Sequence, residues 1–283
     1  MMKQEDFERW IDAVRSIFEI FEGRHDAYPI CRRWIDEWYE VGKFNILQED
    51  INRLNNLKGN FDYSAFGIDN VNLRKKIDAQ FENLIEELSN NNNCKNIGLG
   101  IAPYLFCWNF RRFKKYFQRN SDFDLNHYFQ NLGDFFDNIK NKLRNFSERK
   151  IYSCEIDEKE IEEIFMEINE KLKELGIKEN EPVGVAKLLH IFAPYYFPLI
   201  DNKIAEATGL KQQGESLTVD KYIKWMEGLK NWIRSYNEEK IKSIENQYSK
   251  SILKLIDEGF YVMCSVNLNL RIKLMGLKIR WNG

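Results

Sequence analysis

Histidine, proline and cysteine are scarce in this 283-residue chain, at three, five and five residues. With so few prolines and only fifteen glycines, little interrupts a helix, so long helices are expected. No run of eighteen or more apolar residues occurs, which argues against a membrane span. The five cysteines, Cys31, Cys94, Cys107, Cys154 and Cys264, are scattered, without CxxC spacing and without a histidine within four residues. Reduced thiols in an intracellular, cytoplasmic protein are expected from that distribution. His25, His127 and His190 are equally dispersed, so nothing local forms a zinc motif, and no metal or organic cofactor is implied. The opening residues MMKQEDFERW lack the apolar core of a signal peptide. Net charge is −2, so the whole chain is no polycation, and a nucleic-acid partner would have to meet a local patch.

Aromatic side chains, by contrast, are abundant: twenty Phe, thirteen Tyr and seven Trp, enough apolar surface to offset the entropy of ordering the chain. Their spacing is helical. Phe7, Trp10, Ile11, Val14, Ile17, Phe18 and Phe21 recur at i, i+3, i+4 and i+7 up to Gly23. Ile30, Trp34, Ile35, Trp38 and Val41 repeat the pattern up to Gly42. A helix from about 69 reaches LIEEL before SNNNNCKN, whose asparagines favour turns. That tract divides the chain into an N-terminal helical region, 1–92, and a second, 95–283. Alternating strand patterns are nearly absent, YVMCSVNLNLRI being the one ambiguous piece, and no repeat has a fixed period. The expected fold is all-α, a multi-helix globular protein with room for two helical lobes.

In the segment IGLGIAPYLFCWNFRRFKKYFQRN the glycines and proline read as a helix start. Phe106, Phe110, Phe113 and Phe117 then align as one core stripe, with Arg111, Arg112, Lys114, Lys115 and Arg119 on the other faces. From Lys95 to Lys150 there are eleven Lys and Arg against five Asp and Glu, a local excess of +6. Arg111, Arg112, Lys115 and Arg119 could track phosphates while Trp108 or Tyr116 stacks on an unpaired base; the plainer reading is a solvated cationic face. Lys278, Arg280 and Trp281 read as a frayed end.

Downstream, Asp157 with Glu160 reads as a capping box for a helix reaching Leu175, and Gly176 closes it. KENEP is a polar connection into VGVAKLLHIF. After the loop Pro194 to Pro198, Asp201 is the N-cap of a short helix, DNKIAEATG, stopped by Gly209. Further helices start near Thr218 and near Asn237, the last with an expected break at Gly259.

Two helices joined by a turn with Val183-Gly184, then a proline-bounded loop and Asp201, resemble the helix-hairpin-helix DNA glycosylases over about residues 160 to 208. In place of that family's first hairpin glycine stands Glu181-Pro182, and Lys187 comes three residues after Gly184, where lyase members have two. Monofunctional members need no such lysine. The resemblance implies DNA as partner and removal of a damaged or modified base. Asp201 would be the catalytic carboxylate, Val183 and Gly184 would offer amides to a phosphate, and Tyr195, Tyr196 and Phe197 would line a base slot. His190, three residues after Lys187, shares its helix face, as part of a polar strip or as a histidine bonded to a backbone carbonyl. A non-catalytic helical module binding nucleic acid or protein is the alternative, with Asp201 simply a cap.

Overall fold

A computed structural model of the protein describes residues 4–21 and 26–265. It is 72% helical, with fourteen helices and one two-stranded sheet among the described residues, so the fold is all-α. In chain order the elements are α1 (Gln4–Phe21), α2 (Tyr28–Val41), β1 (Phe44–Asn45), α3 (Gln48–Gly59), α4 (Val71–Ser89), β2 (Asn93–Cys94), α5 (Ile97–Trp108) and α6 (Phe110–Arg119). These are followed by α7 (Leu125–Asn138), α8 (Lys140–Ser147), α9 (Glu158–Leu175), α10 (Pro182–Phe192), α11 (Asn202–Ala207), α12 (Val219–Arg234), α13 (Glu238–Tyr248) and α14 (Ile252–Ser265).

Polar residues that bond their own backbone mark most of the helix starts. Asn70, Asn96, Asp124, Asp201, Thr218 and Asn237 each accept from an amide of the first turn, satisfying donors that the helix leaves orphaned. Asp157 does the same for α9, accepting from the Glu160 amide at 3.0 Å. Glu160 itself turns to Arg149, at 2.6 Å and 3.0 Å.

The chain forms two compact units. The first comprises Met1–Gly23, Asn145–Ile168 and Val185–Gly283. Its core includes the packing of α1 on α14, where Trp10 lies among Phe7, Trp232 and Phe260 with ring centroids 5.9–6.2 Å away. The second comprises Arg24–Arg144 and Asn169–Gly184. There α5 packs on α2 and α7, and Phe106 gathers the rings of Phe61, Phe81, Phe110 and Phe113 within 4.7–6.0 Å. The asparagine tract ends in β2, which pairs antiparallel with β1 in the register Phe44↔Cys94.

Three local expectations are corrected. The helix of residues 97–120 breaks at Asn109, so the buried phenylalanine stripe spans α5 and α6, and Pro103 lies inside α5 and not at its start. Gly259 does not break the last helix: α14 runs through it, and a side chain there would meet the Trp10 ring. The chain turns instead at Ser249, whose φ of 50° is left-handed. Lys278, Arg280, Trp281 and the end of YVMCSVNLNLRI lie outside the described residues, as does Gly23. Among the described residues, no helix is long and apolar enough to cross a membrane.

Candidate functional site

The first unit brings Lys187 and Asp201 into one electrostatic environment. Lys187 sits on α10, where the surrounding Val185, Ala186, Leu188, Leu189, Ile191 and Phe192 are all buried. Asp201 is held in extended backbone ahead of α11, half-buried, and its Oδ1 accepts from the Ile204 amide at 2.8 Å. Packing of α11 against α14 adds two groups that periodicity alone did not single out, Lys254 and Asp257. They pair at 3.2 Å, and Lys254 also lies 3.8 Å from the fully buried Glu258.

Burial dominates the charges of this cluster. Desolvation pulls the Lys187 ammonium down to about 8, a fall that the nearby carboxylates of Asp201 and Asp257 oppose and Lys254 reinforces. The Asp257 carboxyl is pushed above its usual range by desolvation, against the pull of Lys254. The sign for stability follows from linkage. Unfolded Lys187 keeps its ordinary value of 10.5, so between pH 8 and 10.5 the unfolded chain binds more protons, and this contribution to stability rises with pH. The stability of the wild type minus that of Lys187→Met, from urea unfolding across that window, is expected to rise with pH by about 3 kcal/mol at most, while the raised thiols of Cys31, Cys94 and Cys107 pull both proteins down alike. Equal pH slopes in the two proteins would contradict the buried ammonium.

His190 is fully buried, and its Nδ1 lies 2.7 Å from the Phe197 carbonyl oxygen, the backbone-bonded arrangement. It therefore faces core, not a polar strip in a cleft. Tyr196 and Phe197 are likewise fully buried and pack on Phe146, at 5.6 Å and 4.8 Å between ring centroids. The expectation that they line a slot for a base is corrected: both rings are closed into the core against Phe146. Tyr195 is half-buried beneath the Lys150 ammonium, 5.0 Å from its ring centre.

In the second unit, Val183 and Gly184 belong to the first turn of α10, and the turn before it is residues 176–181. Gly184 is buried against Leu172 and Asn109, and the Glu181 carboxylate lies beside it. The helix start thus faces an acid of this chain, in the place that the resemblance gives to a phosphate. Glu181 is buried, accepts a short hydrogen bond from the Tyr116 hydroxyl and lies 3.1 Å from Arg112 Nε. Desolvation lifts its carboxyl to about 7, opposed by Arg112.

The basic helix α6 presents a mixed picture. Arg111 is exposed. Arg112, Lys115 and Arg119 converge on the Glu179 carboxylate at 2.8, 3.8 and 2.6 Å. Lys114 instead donates to the carbonyls of Phe66 and Gly67, at 2.7 and 3.1 Å. Trp108 is half-buried, its Nε1 donating to Asp26 Oδ1 at 3.0 Å, so its indole edge is engaged.

Neither Asp257 nor Glu179 stands out in the sequence as a site residue. A signal existed for the first: SILKLIDEGFYVM interrupts an apolar helix with Lys254, Asp257 and Glu258 at i, i+3 and i+4, so some charge had to be buried. Among the described residues, no three His, Cys, Asp or Glu gather as a metal site. Two shallow hollows lie away from Asp201, one lined by Glu8, Asp12, Lys240 and Tyr248, the other by Arg33, Asp50 and Arg53. No family model, curated protein or solved structure matches the chain.

Proposed function

We propose that the chain is a DNA-binding protein resembling the base-excision N-glycosylases, with Asp201 as its catalytic carboxylate. One observation carries this reading: a half-buried aspartate, with one oxygen fixed by its own helix start, within electrostatic reach of a lysine whose pKa is lowered to about 8. Perturbed lysine–carboxylate groupings of this kind concentrate at functional sites. As an N-glycosidic bond breaks, positive charge builds on the sugar, and a carboxylate fixed beneath it lowers the barrier. The same carboxylate can orient the attacking water, while Lys187 Nζ carries a proton that it can release near neutral pH.

The test uses the full chain with duplex and single-stranded oligonucleotides carrying a panel of damaged or modified bases. Asparagine caps a helix as well as aspartate does, so Asp201→Asn keeps the fold while removing the charge. Base release is expected to fall at least about a hundredfold, with an unchanged melting curve. A wild type that releases no base, or a variant that releases it as fast, sinks the enzyme reading. Burial of Tyr196 and Phe197 favours the second reading, a non-catalytic helical module that binds nucleic acid or protein. It expects binding without base release.

A further inference from the structure

We propose that Arg112, Lys115 and Arg119 form a phosphate-binding row in the second unit, and that the Glu179 carboxylate is an internal stand-in which the phosphate displaces. That the ligand is a nucleic-acid backbone rests on the reading above; the row and its occupant rest on distances alone.

The three cations stand at i, i+3 and i+7 on α6 and share one face, spread over about 10 Å at 1.5 Å per residue. One carboxylate engages all of them, through Oε1 with Arg119 and through Oε2 with Arg112 and Lys115. A phosphodiester offers the same two features, a pair of oxygens and one negative charge, and guanidinium groups suit it well. A row of that length can meet more than one phosphate of the same strand.

Glu179 is held in a way that lets it leave. Its side chain is 41% exposed, and Lys115 and Arg119 are 48% and 54% exposed, so water and salt reach these pairs and weaken them. The loop beneath has a separate anchor: Arg112 Nη2 donates to the backbone carbonyls of Glu179 and Asn180 at 3.0 and 3.3 Å. The carboxylate can therefore swing out while the main chain stays in place. Glu181 is no second stand-in, because it is buried with the Tyr116 hydroxyl bonded to it, and it keeps hold of Arg112. Displacement of Glu179 accordingly releases mainly the charges of Lys115 and Arg119.

Fluorescence anisotropy with a labelled single-stranded oligonucleotide and, separately, isothermal titration calorimetry with tripolyphosphate test the row on the full chain. Glu179→Gln is expected to bind the oligonucleotide at least tenfold more tightly than wild type at low salt. Removing the single carboxylate charge frees about one net positive charge to neutralise phosphate, which should steepen the slope of log K against log salt by about 0.7 for a single strand. Glu179→Ala should repeat the gain, which shows that it comes from the lost charge and not from the new amide. Adding Lys115→Gln and Arg119→Gln to Glu179→Gln should abolish it. Unchanged or weaker binding of both probes, by variants that melt like wild type, overturns the row. A gain for tripolyphosphate alone upholds the row and its occupant and overturns the nucleic-acid identity. Loss of the Asp201 enzyme reading leaves either outcome legible.

Discussion

Gly98→Ala is expected to destabilise the protein by about 3 kcal/mol or more, the upper end of what overpacking costs. Sequence alone forecasts the opposite, since glycine inside a helix is worse than alanine by up to about 1 kcal/mol. The sign reverses because of what lies against α5. A methyl group on Gly98 would sit 1.8 Å from the Phe129 carbonyl oxygen, 2.5 Å from the Gly133 nitrogen and 2.9 Å from its Cα. All three are main-chain atoms of α7 and cannot rotate away, so the helices would have to separate. Separation would open a core that holds Leu99, Ala102 and Phe106 on one side and Phe129, Leu132 and Phe136 on the other. The internal control is Gly228 in α12, which is exposed, with nothing within 4 Å of an added methyl. Gly228→Ala should stabilise by up to about 1 kcal/mol. Chemical denaturation of both variants decides the matter: a Gly98→Ala that is neutral or stabilising, like Gly228→Ala, would mean that α5 and α7 do not touch backbone to backbone.

Gly259→Ala should cost about 2 to 3 kcal/mol for a related reason, with a side chain as the obstacle. The added methyl would lie 2.3 and 2.4 Å from two atoms of the Trp10 indole. That ring is 1% exposed and packed among Phe7, Trp232 and Phe260, so its retreat would displace those rings as well. Trp10→Leu alone should cost a few kcal/mol through lost burial. Combined with Gly259→Ala, it should cost at least about 1 kcal/mol less than the sum, because the smaller residue removes the clash. Strict additivity in urea unfolding would show that the two positions are not in contact.

These two glycines also mark the limit of what the sequence discloses. Helices with strong periodicity are legible, as are the caps at Asp157 and Asp201 and a helix start near Thr218, because these signals lie within a few neighbouring residues. Pro103 and Gly259 read as boundary markers by the same local rules, but close packing in the folded chain overrules a breaker. The candidate site divides along that line. Lys187 and Asp201 stand fourteen positions apart in one distinctive stretch and were found together; Asp257 reaches them only through the fold. Tyr196 and Phe197 looked available for stacking because nothing nearby in sequence announces that both rings close against Phe146. Glu179 lay in a segment that read as a mere connection, and its role as the meeting point of three cations arises sixty residues away from Arg119.

The first unit is assembled from three separated stretches, and α1 packs on α14, more than two hundred residues later. On a ribosome, α1 therefore emerges long before its partner exists. For most of synthesis the faces of Phe7, Trp10, Val14 and Phe18 have no mate, a sticky intermediate of the sort that chaperones recognise. The second unit has all its segments once residue 184 has left the exit tunnel, so it can consolidate first while α1 waits.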